Sequence, residues 1–183
     1  MEREDKVKRK NLEGKKLELV KGDITDQETD AVVNAANKRL TPCGGVAGAI
    51  HNAAGPELYE ECKRLGRLET GEAVMTDGYE LPADHVIHAV GPVYSKTKEA
   101  EILLRKSYRN ALGTAAKNGV KSVSIPAIST GEFGYPTEEA AKIALDEIKK
   151  FLENDDSIEQ VKMVLNSEED YKTHAETIEN MID

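Results

Sequence analysis

The chain has 183 residues, a length that suits one domain around a single core. Its hydrophobic fraction is 39%, with no Trp and two Phe, so the core must rest on Val, Ile, Leu and Ala, which favours buried parallel strands over a sandwich. The formal net charge of −9 argues against a protein that wraps nucleic acid, yet backbone amides and helix N-termini can hold a small anion whatever the total charge.

Residues 1–14 read as a charged N-terminal tail, loose in solvent or with a short charged helix at its start, and residues 15–183 as one folded unit. Alternation predicts strands over residues 16–20 and 31–33. Residues 46–65 carry Ile50, Ala53, Ala54, Leu58, Cys62 and Leu65 at helical spacing, with a break at Gly55-Pro56. Two strands follow, at 73–76 and 85–90, around a turn at Asp77-Gly78. A helix is expected over 99–118 and a strand over 122–125, then a helix capped by Thr137 and running through Leu152. A strand over 159–165 and a helix over 168–181 complete the chain.

This order predicts a three-layer α/β/α fold, a mixed, mostly parallel sheet of about six strands with helices on both faces. In such sheets ligands sit beyond the carboxyl ends of the strands, here after Val20, Val33, Val90, Ile125 and Leu165. Cys43 and Cys62 have neither disulfide-framework nor metal spacing, so a reduced compartment, no metal and no cofactor are expected. The charged start lacks the apolar stretch of a signal peptide, and no run reaches membrane-spanning length. A cytoplasmic monomer without membrane association is the expectation.

Three loops carry residues suited to phosphates and sugars. In Gly22-Asp23-Ile24-Thr25, the carboxylate can accept a hydrogen bond from an amino group such as that of adenine, or simply cap a short helix. In the stretch from Asn34 through Asn37 to Ala49, Gly44 and Gly45 stand before a helix whose free amides can meet a pyrophosphate. Asn37 offers donors and an acceptor to sugar hydroxyls. In residues 129–136, Ser129-Thr130-Gly131-Glu132-Phe133-Gly134-Tyr135-Pro136, two glycines flank an aromatic that can pack on a ribose or base, or in the core. The fingerprints GxGxxG and GxxxxGK[ST] are absent, which argues against a dehydrogenase or an ordinary ATPase.

In order, GDIT at 22–25, VVNAAN at 32–37, GGVAGAI at 44–50, HAVGP at 88–92 and STGEFGYP at 129–136 resemble the macrodomain family, whose members bind ADP-ribose and its derivatives. The likeness spans roughly residues 17–165 and is nearest to the MacroD-type branch. It implies that Asp23 holds the adenine amino group with the Ile24 amide on the ring, that Asn166 lies near the adenine edge, and that Asn37 contacts the distal ribose. It further implies two phosphate-binding walls: Gly44, Gly45, Val46, Ala47 and Gly48 form one, and Ser129, Thr130, Gly131, Glu132, Phe133, Gly134 and Tyr135 the other, with Phe133 beside the distal ribose.

The resemblance also implies a reaction, removal of mono-ADP-ribose from acidic side chains, with Asn37, Gly45 and Phe133 as the catalytic set. Many MacroD-type relatives place an aspartate ten residues after the second Asn of the motif, and here that position is Ala47. Three readings stay open: a hydrolase in which the substrate's own phosphate orients the water, a non-catalytic ADP-ribose reader, and an O-acetyl-ADP-ribose deacetylase. The partner is ADP-ribose or an ADP-ribosylated protein. His51 could face the site or pack locally, while His88, inside a strand, suits the core.

Overall fold

The computed structural model describes residues 6–181. Seven strands form one sheet in the order β1-β2-β7-β6-β3-β5-β4. The five central strands, β2 (Lys15–Lys21), β7 (Gln160–Leu165), β6 (Ser122–Ile125), β3 (Ala31–Ala36) and β5 (His85–Val90), are mutually parallel. β1 (Val7–Leu12) and β4 (Ala73–Asp77) close the two edges antiparallel. Parallel neighbours need crossover connections, and the helices supply them.

Alternation along the strands divides the core between the two faces. Leu19, Val33, Ile87 and Met163 join the larger cluster with Leu104, Tyr108, Leu145 and Ile178 of α3 (Lys98–Lys117), α4 (Thr137–Asn154) and α5 (Glu168–Met181). Val20, Val32, Val86 and Val164 join the smaller cluster with Ile50, Leu58 and Cys62 of α1 (Gly45–Ala54) and α2 (Pro56–Leu65). Helices cover both faces of the sheet, so the central strands are mostly apolar on both sides, with Glu18, Asn34, His88 and Ser124 as buried polar exceptions.

The seventh strand corrects the expected charged tail. Val7–Leu12 pairs with β2 through a two-residue turn at Glu13-Gly14, both at positive φ (55° and 88°), which suits the twist of an antiparallel hairpin. Lys8 of this strand pairs with Glu179 of α5, and Lys6, just before it, pairs with Glu168 of the same helix. Residues 1–5 of the expected tail lie outside the described residues. Thr137 is the first residue of α4 and makes no side-chain cap; Pro136 holds the N-cap position, because its fixed φ leads into the helix. Among the described residues no helix is long and apolar enough to cross a membrane.

Candidate ligand-binding site

A cleft of about 930 Å³ runs over the carboxyl ends of β2, β7, β6, β3 and β5. With neighbouring strands roughly 4.8 Å apart, it extends about 19 Å, long enough for an elongated ligand with chemically different ends. The expected loops converge on it.

At the β2 end, Asp23 caps the short 3-10 turn Ile24–Asp26, and its Oδ1 accepts from Thr25 N (2.8 Å) and Thr25 Oγ1 (2.7 Å). The two roles weighed for this carboxylate are compatible, because Oδ2 has no partner among the described residues. Asn166 is exposed on the same part of the wall, where Lys21 and Asp170 also stand. Sequence reasoning missed these last two; the signal was their position at the end of β2 and on the first turn of α5.

In the middle, α1 opens at Gly44 and Gly45 with no side-chain cap and no acidic residue in its first turn. Its free amides and positive end suit an anion. Gly45 adopts φ 64°, a conformation that L side chains rarely take. Facing it, the loop after β6 turns from Gly131 to Gly134, where Gly134 N donates to Gly131 O (3.0 Å) and Gly134 has φ 72°. The amides of Gly131, Glu132 and Phe133 make no backbone bond among the described residues and remain available to a ligand. Ser129 Oγ is buried without a partner on the same wall.

The buried Tyr108 hydroxyl fixes this loop from below, donating to Pro126 O (3.0 Å) and accepting from Ile128 N (2.9 Å). Tyr108→Phe is expected to cost about 1 kcal/mol in denaturant unfolding and to weaken ligand binding, since both bonds are lost while the ring still packs.

The Macro domain family model matches residues 33–144. The chain belongs to the Macro domain family. It is 44% identical over 173 residues to the ADP-ribose glycohydrolase MACROD2 of Xenopus laevis, a match that covers 93% of this chain but 41% of that protein. To the O-acetyl-ADP-ribose deacetylase of Enterobacter sp. (strain 638) it is 48% identical over 158 residues, covering 84% of this chain and 88% of the relative. The solved Oceanobacillus iheyensis macrodomain with ADP matches with a TM-score of 0.93 at 43% identity, covering 97% of both chains. The MACROD2 likeness puts this macro domain in the MacroD-type branch.

Within the macro domain, four expected site residues stand away from the cleft surface. Ala47 is buried in the first turn of α1 and does not line the cavity. Gly48, one residue on, likewise lies behind the wall; a β-carbon there would meet Cys43 O at 2.2 Å, so its glycine is needed for close packing of the loop. Tyr135 is buried with its ring edge-on to Tyr94 (centroids 5.0 Å apart), and it shapes the loop through Tyr135 N donating to Ser129 O (2.8 Å). Gly134 also falls outside the lining and serves the turn.

Asn37 lines the cleft, but its amide is committed to its own loop. Nδ2 donates to Thr41 Oγ1 (2.8 Å) and Thr41 O (3.2 Å), and Oδ1 accepts from Arg39 N and Thr41 N (3.1 Å each). Both donors and both acceptor positions are filled, so a sugar hydroxyl can reach this side chain only by displacing one of them. The expected loop also begins later than its sequence suggests, because Asn34, Ala35 and Ala36 belong to β3.

His51 of α1 and His88 of β5 form a buried pair between helix and sheet, away from the cleft lining, with ring centroids 6.3 Å apart. Burial lowers the pKa of both imidazoles, that of His88 to about 3 with a further contribution from His51. His88 Nδ1 faces Asn34 Nδ2 (3.1 Å) and its Nε2 faces Thr76 Oγ1 (3.0 Å). The core role expected of His88 holds, and His51 packs locally.

Proposed function

We propose that this macro domain binds ADP-ribose and hydrolyses mono-ADP-ribose from acidic side chains of modified proteins. The observation that carries the reading is the single cleft joining Asp23 at one end, two walls of unpaired amides in the middle, and Asn37 and Phe133 at the other. Asp23 and Asn166 take the adenine end, the amides of Gly45, Val46 and Gly131 the pyrophosphate, and Asn37 and Phe133 the distal ribose. The names of the glycohydrolase and deacetylase relatives support the same ligand and reaction class.

In the reaction, water oxygen bonds to the anomeric carbon of the distal ribose as the bond from that carbon to the acceptor carboxylate breaks. The acceptor leaves as carboxylate, and the proton from water passes by way of the substrate phosphate to solvent. Bending the pyrophosphate over two amide walls supplies positioning and charge stabilisation without an ionising side chain at Ala47. The saturated Asn37 amide favours a second reading, an ADP-ribose reader that holds its ligand without turnover. One preparation decides between them: hydrolysis requires ADP-ribose binding together with loss of label from an auto-modified, carboxylate-linked acceptor, whereas binding with full retention of label identifies a reader.

Asp23→Ala is expected to weaken ADP-ribose binding about tenfold, the loss of one charge-assisted hydrogen bond. Asp23→Asn, which keeps an acceptor for Thr25 N, separates the ligand contact from the cap. Unchanged affinity in calorimetric titration of the alanine variant would remove Asp23 from the adenine site.

A further inference from the structure

We propose that Glu132 is a charge-selectivity residue, its carboxylate standing across the mouth of the pyrophosphate site and opposing anionic ligands. The inference rests on the ADP-ribose reading of the cleft. It concerns how tightly that ligand is held.

Glu132 belongs to the loop after β6, yet its carboxylate reaches the opposite wall: a β-carbon on Gly44 would lie 3.2 Å from Glu132 Oε1. The side chain thus spans the gap between the two amide walls. Among the described residues it forms no hydrogen bond or ion pair that would neutralise it. Among the described residues, Lys21 is the only cationic side chain that lines the cleft, at the β2 end, where it pairs with Glu168 at 3.4 Å. The other lining carboxylates, Asp23, Asp26 and Asp170, stand on the 3-10 turn after β2 and on the first turn of α5, and not on either glycine-rich wall. Glu132 is the lining carboxylate that one of the two phosphate-binding walls itself carries.

The uncapped start of α1 attracts negative charge, and in the free protein this carboxylate supplies it. An incoming pyrophosphate competes for the same positive end and meets a like charge a few ångströms away. Release of ADP-ribose, the product of hydrolysis, is correspondingly faster. A like charge at such a distance, partly screened by solvent, changes affinity by about threefold to tenfold.

Calorimetric titration of wild type and Glu132→Gln with ADP-ribose, ADP and adenosine tests this, at low and at high salt. Glu132→Gln is expected to bind ADP-ribose and ADP about threefold to tenfold more tightly. Adenosine affinity should stay unchanged, and the gain should shrink at high salt. Glu132 is exposed, so the melting temperature should not move. Equal or weaker ADP-ribose binding by the variant overturns the inference while leaving the ADP-ribose reading intact; an equal gain for adenosine also overturns it, because charge is then not the cause. Absence of ADP-ribose binding in both proteins refutes the ADP-ribose reading, and the inference with it.

Discussion

Gly48→Ala is expected to lower ADP-ribose affinity by about tenfold to a hundredfold while leaving the sheet folded. The added β-carbon would sit 2.2 Å from Cys43 O and 3.3 Å from Cys43 C, and both atoms are backbone, so no side-chain rotation relieves the contact. α1 cannot retreat, because Ile50 and Ala54 on the same helix are fully buried against the sheet. The Cys43 segment must move instead, and it carries Gly44 and Gly45, whose amides form one wall of the pyrophosphate site. Overpacking of this kind costs about 1–3 kcal/mol, borne here by the loop. Gly131→Ala is the matched control: nothing lies within 4 Å of its β-carbon, so it should bind within about threefold of wild type, less than 1 kcal/mol. Titration and thermal melts on both variants check the pair. Wild-type affinity in Gly48→Ala would show that the first wall does not need its present shape.

The site was legible in the sequence wherever residue type alone carries the chemistry. A carboxylate after β2, paired glycines before α1 and a glycine-flanked aromatic after β6 all converge on one cleft. Where the answer depended on helical register or on rotamers, the sequence was mute. Ala47 and Gly44 belong to the same short stretch, yet the turn of α1 puts one behind the wall and the other on it. The commitment of Asn37 to Thr41 is a matter of side-chain rotation four residues apart, which spacing cannot settle.

The edge strand β1 escaped for a different reason. Its half-buried positions are Lys8, Lys10 and Leu12, and the long lysine stems cover neighbouring surface while their charged ends reach outward, so the period of two is hidden by charge. The turn at Glu13-Gly14 was the available signal. The central strands posed less difficulty, because burial on both faces makes them mostly apolar, and Asn34 and His88 interrupt β3 and β5 only singly.

Stability should fall as the pH drops below about 6.5, and His88 should account for on the order of a few kcal/mol of that loss. Its ring is held neutral from both sides. Thr76 Oγ1 donates to Asp77 O (3.1 Å), which leaves it to accept from His88 Nε2–H, while His88 Nδ1 accepts from Asn34 Nδ2. A second proton on Nδ1 would meet a donor unless the Asn34 amide turned over. The folded pKa of about 3 lies below the ordinary imidazole value of 6.5, so between those values the unfolded chain takes up a proton that the folded chain refuses. Stability contributed by the neutral ring is complete above the unfolded value, declines as pH falls, and has no further to fall below the folded one. His51 and His174, also lowered by burial, act with the same sign. Urea unfolding of wild type and His88→Gln at about pH 7 and about pH 4 isolates the contribution, since glutamine does not titrate. The variant should start less stable at neutral pH and lose less on acidification. Parallel losses in the two proteins would mean that carboxylate protonation alone sets the acid limit of the fold.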